Sequence, residues 1–327
     1  MQSPYIYAGT RAKTLEHELL TDVQREVLLG ARSMDEFFAG LQDTFIAPYL
    51  VREGTRDLSR ALEDAVYDAK HLLDQIAPEP ELLNILWIKY DFYNLKAIIK
   101  GGLADLSDEE IKGHCFRTSI YDADRLLKAY QSDRLDVVDP RLARGAKEAR
   151  GYKRIADIDL VLNLHYLTSA RDMAREAGNL FVTNYITLLI DLFNLKAALR
   201  TKAFSHEQVK DMFVDGGTFH RRELEGETTD DILNQFQRVG GPGVWSAGID
   251  EYRETGSFSL IEKTSEDYVS SWLKGQSYEI FSPAPLFAYF TAKKNNVQQI
   301  RAIHVSKAAG IPEHDIRATL RNLYSSL

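Results

Sequence analysis

Apolar residues recur at spacings of three and four along most of the chain, and strict alternation is scarce, so the pattern predicts helices almost throughout. Residues 12–30, rich in Leu, Glu, Arg and Val, predict one amphipathic helix. Gly30-Ala31-Arg32 then leads into Ser33, with Glu36 three positions later, which is a helix-start signature. Phe37, Phe38 and Leu41 supply the apolar face of that second helix. Residues 57–76 predict a third, stopped by Pro78 and Pro80. Residues 134–157 and 238–258 predict loops, with Gly240-Gly241-Pro242-Gly243 as the clearest break.

One helix occurs three times. Residues 81–100 read ELLNILWIKYDFYNLKAIIK and residues 181–200 read FVTNYITLLIDLFNLKAALR. Asn84, Asp91, Asn94, Leu95, Lys96 and Ala97 return as Asn184, Asp191, Asn194, Leu195, Lys196 and Ala197. In a weaker third copy Asn296, Gln299, Ile300, Arg301 and Ala302 stand where Asp91, Asn94, Leu95, Lys96 and Ala97 stood. The copies lie 100 and 105 residues apart, a period that describes a whole folded module. The repeat therefore predicts an all-α chain of three related helical subdomains with approximate threefold symmetry.

On a helical wheel Asn84, Trp87, Ile88, Asn94, Leu95 and Ile98 fall within about 60° of Asp91. Asn184, Leu188, Asn194, Leu195 and Ala198 surround Asp191 in the same way. A carboxylate on an apolar face is costly unless hydrogen-bonded or paired. Two copies with the same neighbours imply that the partner is repeated too. Asp91 and Asp191 are thus expected to cap a neighbouring helix or to pair with a basic side chain. Asn296 keeps the hydrogen bonding and drops the charge, which suits a cap and not a catalytic acid.

Each copy is followed by the same punctuation: residues 106–112, 204–210 and 311–317. Ser107 with Glu110 and Ser205 with Gln208 form capping boxes, and Pro312 suits a first helical turn. Acidic residues ahead of an apolar pair open each module, at Ser33, Ile120 and Thr229. The predicted modules span residues 1–115, 116–215 and 216–327.

Composition alters this picture little. The 327 residues are 44% hydrophobic and 27% charged, as in an ordinary globule. A net charge of −8 argues against nucleic acid and against direct docking on an anionic membrane surface. A single cysteine, Cys115, makes no internal disulfide, points to a reducing compartment and reads as a small buried hydrophobe. The opening MQSPYIYAGTRAK lacks the apolar core of a signal peptide. No uninterrupted apolar run reaches bilayer length; Leu180 to Leu195 is broken by Thr183, Asn184, Thr187 and Asp191.

Chemistry-bearing motifs are missing. The sequence has no phosphate-binding glycine motif and no His-Glu-x-x-His, and its eight histidines follow no ligand spacing, so no cofactor or metal site is expected. Asp230-Asp231 reads as a helix start. The basic run Arg141, Arg144, Lys147, Arg150, Lys153 and Arg154 reads as a solvated face, or as a docking patch for an acidic protein.

The repeat, its punctuation and the two ends together resemble one family: the C subunit of prokaryotic A/V-type rotary ATPases, similar to the d subunit of the vacuolar ATPase. The resemblance runs from Tyr5-x-Tyr7-Ala8 and Arg11 through both Asp-x-x-Asn-Leu-Lys segments to residues 296–312. In that last stretch Gln299 and Ser306 replace the family's usual Asn and Gly. The resemblance implies a non-catalytic, funnel-shaped rotor component. It would sit on the cytoplasmic side of the proteolipid ring, receive the foot of the central stalk, and pass torque between head and ring. The competing expectations are a helical scaffold of another assembly, or an all-α enzyme with Asp91 and Asp191 facing one pocket.

Overall fold

In the computed structural model, residues 4–52, 57–204, 213–224 and 228–324 are described. They form α-helices with short connections and no strand. In chain order the first helices are α1 (Ile6–Leu15), α2 (Asp22–Gly30), α3 (Met34–Leu41), α4 (Ala47–Arg52) and α5 (Leu58–Ile76). Next come α6 (Pro80–Leu103), α7 (Asp108–Gly113), α8 (Ala123–Gln131), α9 (Leu135–Val138), α10 (Pro140–Ala149), α11 (Ile155–Ala177) and α12 (Leu180–Phe204). The last are α13 (Arg221–Leu224), α14 (Thr229–Phe236), α15 (Pro242–Thr255), α16 (Ser259–Gln276), α17 (Ala284–Ala308) and α18 (Glu313–Thr319).

The chain divides into two compact units: residues 1–80 with 258–327, and residues 81–257. The first unit is built around α17, which packs against α1, α2, α3, α5, α16 and α18. The first half of α17 is buried nearly all round, Leu286, Phe287, Ala288, Phe290 and Val297 included, as an enclosed helix requires, while Gln298, Ala302 and Val305 are exposed further along. The two ends of the sequence meet around it. Arg317 forks onto both oxygens of Glu26 at 2.7 Å, Lys307 Nζ donates to the Ala31 carbonyl, and Tyr324 Oη donates to Glu16.

In the second unit α12 packs on α11 and α14, and α11 packs on α10. Helix α6 reaches α10 and α11 through Phe92, whose ring lies against the backbone at Gly145 and 6.4 Å from the ring of Tyr166. A Cβ on Gly101 would come within 2.5 Å of Ile111, so the absent side chain is what lets α7 lie close to α6.

Several helix starts are secured by side chains, while α1, α11, α15, α16, α17 and α18 have no side-chain cap among the described residues. Thr21 with Gln24, Ser107 with Glu110 and Thr228 with Asp231 form capping boxes, and Ser33, Asp122 and Asp139 cap α3, α8 and α10. Each cap contributes about 1 kcal/mol. The Ser205–Gln208 box lies outside the described residues. Pro312 stands at the N-cap of α18, one residue ahead of its expected place in the first turn.

Three expectations are corrected. The helix expected over residues 12–30 is broken by an extended Leu19, and α2 restarts on the Thr21 cap. The expected loop at residues 134–157 holds α9, α10 and the start of α11. Asp139 caps α10 and Pro140 occupies its first turn, while its buried face is Leu142, Gly145, Ala146 and Ala149. The expected loop at 238–258 holds α15. Gly240 and Gly241, at φ 86° and 93°, turn the chain, and Pro242 then opens the helix.

Among the described residues α12 is long and apolar enough to cross a membrane by length and composition. Half of that stretch is buried within the protein.

Candidate functional site

The repeated polar residues form clamps. On α6, Asn94 and the backbone of Phe116 bind reciprocally: Phe116 N–H donates to Asn94 Oδ1 at 2.6 Å, and Asn94 Nδ2 donates to the Phe116 carbonyl at 2.9 Å. One turn earlier, Asp91 Oδ2 and Oδ1 accept the N–H groups of Ile120 and Tyr121, each at 3.0 Å. Asp91 and Asn94 are both 0% exposed. The loop they hold ends at Asp122, the N-cap of α8.

On α12 the arrangement returns. Val214 N–H donates to Asn194 Oδ1 and Asn194 Nδ2 donates to the Val214 carbonyl, both at 2.9 Å. Asp191 Oδ1 accepts from Thr218 N–H and Phe219 N–H, and Oδ2 accepts the Thr218 hydroxyl. A Cβ at Gly217 would run into the Asp191 carboxylate, so this loop needs glycine there. In both copies the carboxylate grips two N–H groups just ahead of the next helix, upstream of its first turn. Burial pushes the Asp191 carboxyl above its ordinary range, and the hydrogen bonds from Thr218 and Phe219 oppose that shift.

The third clamp draws its partners from both ends of the sequence. Asn296 Oδ1 accepts Leu20 N–H at 2.9 Å, and Gln299 Nε2 donates to the Asn322 carbonyl at 3.4 Å. Leu20 immediately precedes the Thr21 cap, as Tyr121 precedes Asp122. The neighbouring N–H, that of Leu19, is already bound to the Glu16 carbonyl. One acceptor is therefore enough, which accounts for Asn in place of Asp. This clamp is less complete: Asn296 Nδ2 and Gln299 Oε1 are buried without a hydrogen bond among the described residues.

The remaining repeat positions diverge. Lys96 Nζ donates to Asn163 on α11 at 2.6 Å and lies 4.9 Å from the centre of the Tyr93 ring; burial pushes its pKa down to about 8. Lys196 is half-buried, and Arg301 has a buried Nε without a hydrogen bond among the described residues. Asn84 is half-buried but Asn184 is exposed. A wheel places Asn184 on the Asp191 face correctly, yet it lies in the opening turns of α12, beyond the cover of its neighbours. The Asp91 and Asp191 carboxylates each serve their own loop and do not share a pocket.

The repeat did not point to Lys293. It stands on α17 directly after the mostly apolar run 284–292 and is 4% exposed. Its ammonium sits 3.6 Å from the centre of the Phe45 ring and makes no hydrogen bond or ion pair among the described residues. Burial pushes its pKa down to about 8, with Glu18 opposing. Lys293 lines an open cavity of about 570 Å³ together with Glu18, Asp43, Phe45, Tyr49 and Asp68. Nothing in the sequence separates it from Lys294 beside it, which is half-buried.

Comparison with known proteins identifies the class. The ATP synthase (C/AC39) subunit family matches residues 8–319, and the chain belongs to that family. It is similar to the C subunit of the A-type ATP synthase of Methanocaldococcus jannaschii, at 23% identity over 98% of this chain and 87% of the relative. The C subunit of the A-type ATP synthase of Pyrococcus abyssi is 22% identical over 98% and 91% of the two chains. The C subunit of the V-type sodium ATPase of Enterococcus hirae is 22% identical over 94% and 95%.

Proposed function

We propose that this chain is a non-catalytic central-stalk component of an A/V-type rotary ATPase, held at the cytoplasmic face of the membrane by the complex and coupling its head to its proteolipid ring. In this reading three related modules, with boundaries near residues 116 and 216, form a pseudo-threefold funnel. The stalk proteins enter its mouth, and the funnel carries torque to the ring during ATP-coupled proton or sodium transport.

The observation that carries the proposal is the thrice-repeated clamp in a chain of this family. A torque-bearing part must be stiff. A long helix that pins the loop leading into the next helix, through paired backbone hydrogen bonds inside the core, removes the softest degree of freedom in each module. Close packing then transmits strain instead of absorbing it. The polar residues of highest burial are engaged in holding backbone, a structural use and not a catalytic one.

Binding tests this reading. The purified chain is expected to associate both with the stalk proteins of the ATPase head and with the detergent-solubilised proteolipid ring. Failure to bind either would overturn the proposal.

A further inference from the structure

The cavity beside Lys293 has no part in the clamps, and its chemistry is specific. Its floor is an ammonium group, in a side chain more than nine-tenths buried, with no acceptor within hydrogen-bond reach among the described residues. Its walls include the Phe45 ring and Tyr49, and Glu18 and Asp43 stand exposed at the rim. All of these residues belong to the unit formed by residues 1–80 and 258–327. An ammonium that faces the cavity from a mostly buried side chain, without a protein acceptor among the described residues, is poorly solvated, so the site gains from a ligand that brings one. Three carboxylates, Glu18, Asp43 and Asp68, line the same cavity against one lysine and His17. That balance disfavours phosphate or a simple carboxylate and favours a ligand that is cationic outside and an acceptor inside. A volume of about 570 Å³ lies in the range of binding pockets and admits a few residues of peptide.

We infer that this cavity is a docking socket for a basic segment of a partner protein of the assembly, which sets a backbone carbonyl on Lys293 and an Arg or Lys side chain against Glu18 and Asp43. The inference rests on the proposed place of the chain in a multisubunit ATPase. The oily wall and the buried donor would orient the segment, and the acidic rim would steer it in.

The test uses the full chain and the ATPase assembly prepared without it, with affinity measured by titration. Lys293→Met removes the donor while keeping an apolar side chain of similar length, and is expected to fold at least as well as the native chain. Glu18→Gln removes one rim charge from an exposed position. Each variant is expected to weaken association at least tenfold, and Lys293→Arg is expected to restore most of it. Raising salt should weaken the native chain more than Glu18→Gln. If Lys293→Met associates within twofold of the native chain, the socket is overturned. If Lys293→Met weakens association while Glu18→Gln and Asp43→Asn leave it unchanged, the basic character of the partner segment is overturned. If the native chain does not associate at all, it is the reading as a rotary-ATPase component that fails.

Discussion

Gly217 lies so close to the Asp191 carboxylate that a methyl group on its α-carbon would collide with Oδ1. The loop can bring Thr218 and Phe219 onto the carboxylate only because residue 217 has no side chain. Gly217→Ala must therefore push the loop off the clamp. We expect a loss of about 1–3 kcal/mol in chemical denaturation, of the size seen when a buried hydrogen-bond network is disturbed. Gly102→Ala, in α6 with open space around it, should stabilise by about 0.5–1 kcal/mol. Hydrogen exchange at the Thr218 amide should quicken in the first variant and not in the second.

The two carboxylates respond differently to neutralisation. Asp91 spends one oxygen on each of two backbone N–H groups, whereas Asp191 spends one oxygen on backbone and the other on a hydroxyl. An amide at position 191 can still accept from Thr218 N–H and donate to the Thr218 hydroxyl, and it removes the burial penalty on the charge. An amide at position 91 must point N–H groups at a backbone N–H. Asp191→Asn should therefore cost under about 1 kcal/mol, and Asp91→Asn about 2–3 kcal/mol. Equal losses in thermal or denaturant unfolding would contradict this account of the clamps.

Lys293 makes stability rise with pH in a defined window. Its pKa falls from 10.5 when free to about 8 in the folded protein, so between those values the unfolded chain binds more protons. Stability contributed by this group climbs from about pH 8 to about pH 10.5 and is lowest below pH 8. The shift corresponds to about 3 kcal/mol. Lys293→Met should be more stable than the native chain at pH 7 by a large part of that amount, and the gap should close by pH 10.5. A gap that stays constant across this range would contradict the assignment.

The sequence reveals the clamping residues but not what they hold. Asp91, Asn94, Asp191 and Asn194 stand out because they recur on an apolar face, and burial of a repeated polar group demands a repeated partner. The partners are backbone atoms at Phe116, Ile120, Tyr121, Val214, Thr218 and Phe219, and backbone atoms carry no sequence mark. Position 217 was readable only as a glycine. The third clamp was the hardest to see, because Leu20 and Asn322 are separated by almost the whole chain. The break before α2 was marked locally by Thr21 and Gln24, a capping box inside a run of helix formers. Helix α10 was legible in the Asp139 cap, in Pro140 and in the helical spacing of Leu142, Ala146 and Ala149, but Gly145 and the surrounding basic residues obscured it.

The third clamp makes the first unit depend on both ends of the sequence. Asn296→Ala removes the side-chain acceptor that binds the buried Leu20 N–H and should cost about 1–3 kcal/mol. Exchange at the Leu20 amide should quicken by a comparable factor. Exchange at Thr218, in the other unit, should not change.

The central claim is that this chain couples two larger bodies mechanically, and ion pumping tests it most directly. Vesicles carrying the rotary ATPase prepared without this chain should hydrolyse ATP with little or no ion gradient. Adding the purified chain should restore the ions moved per ATP. A full gradient in its absence, or none after its stoichiometric addition, would contradict the account.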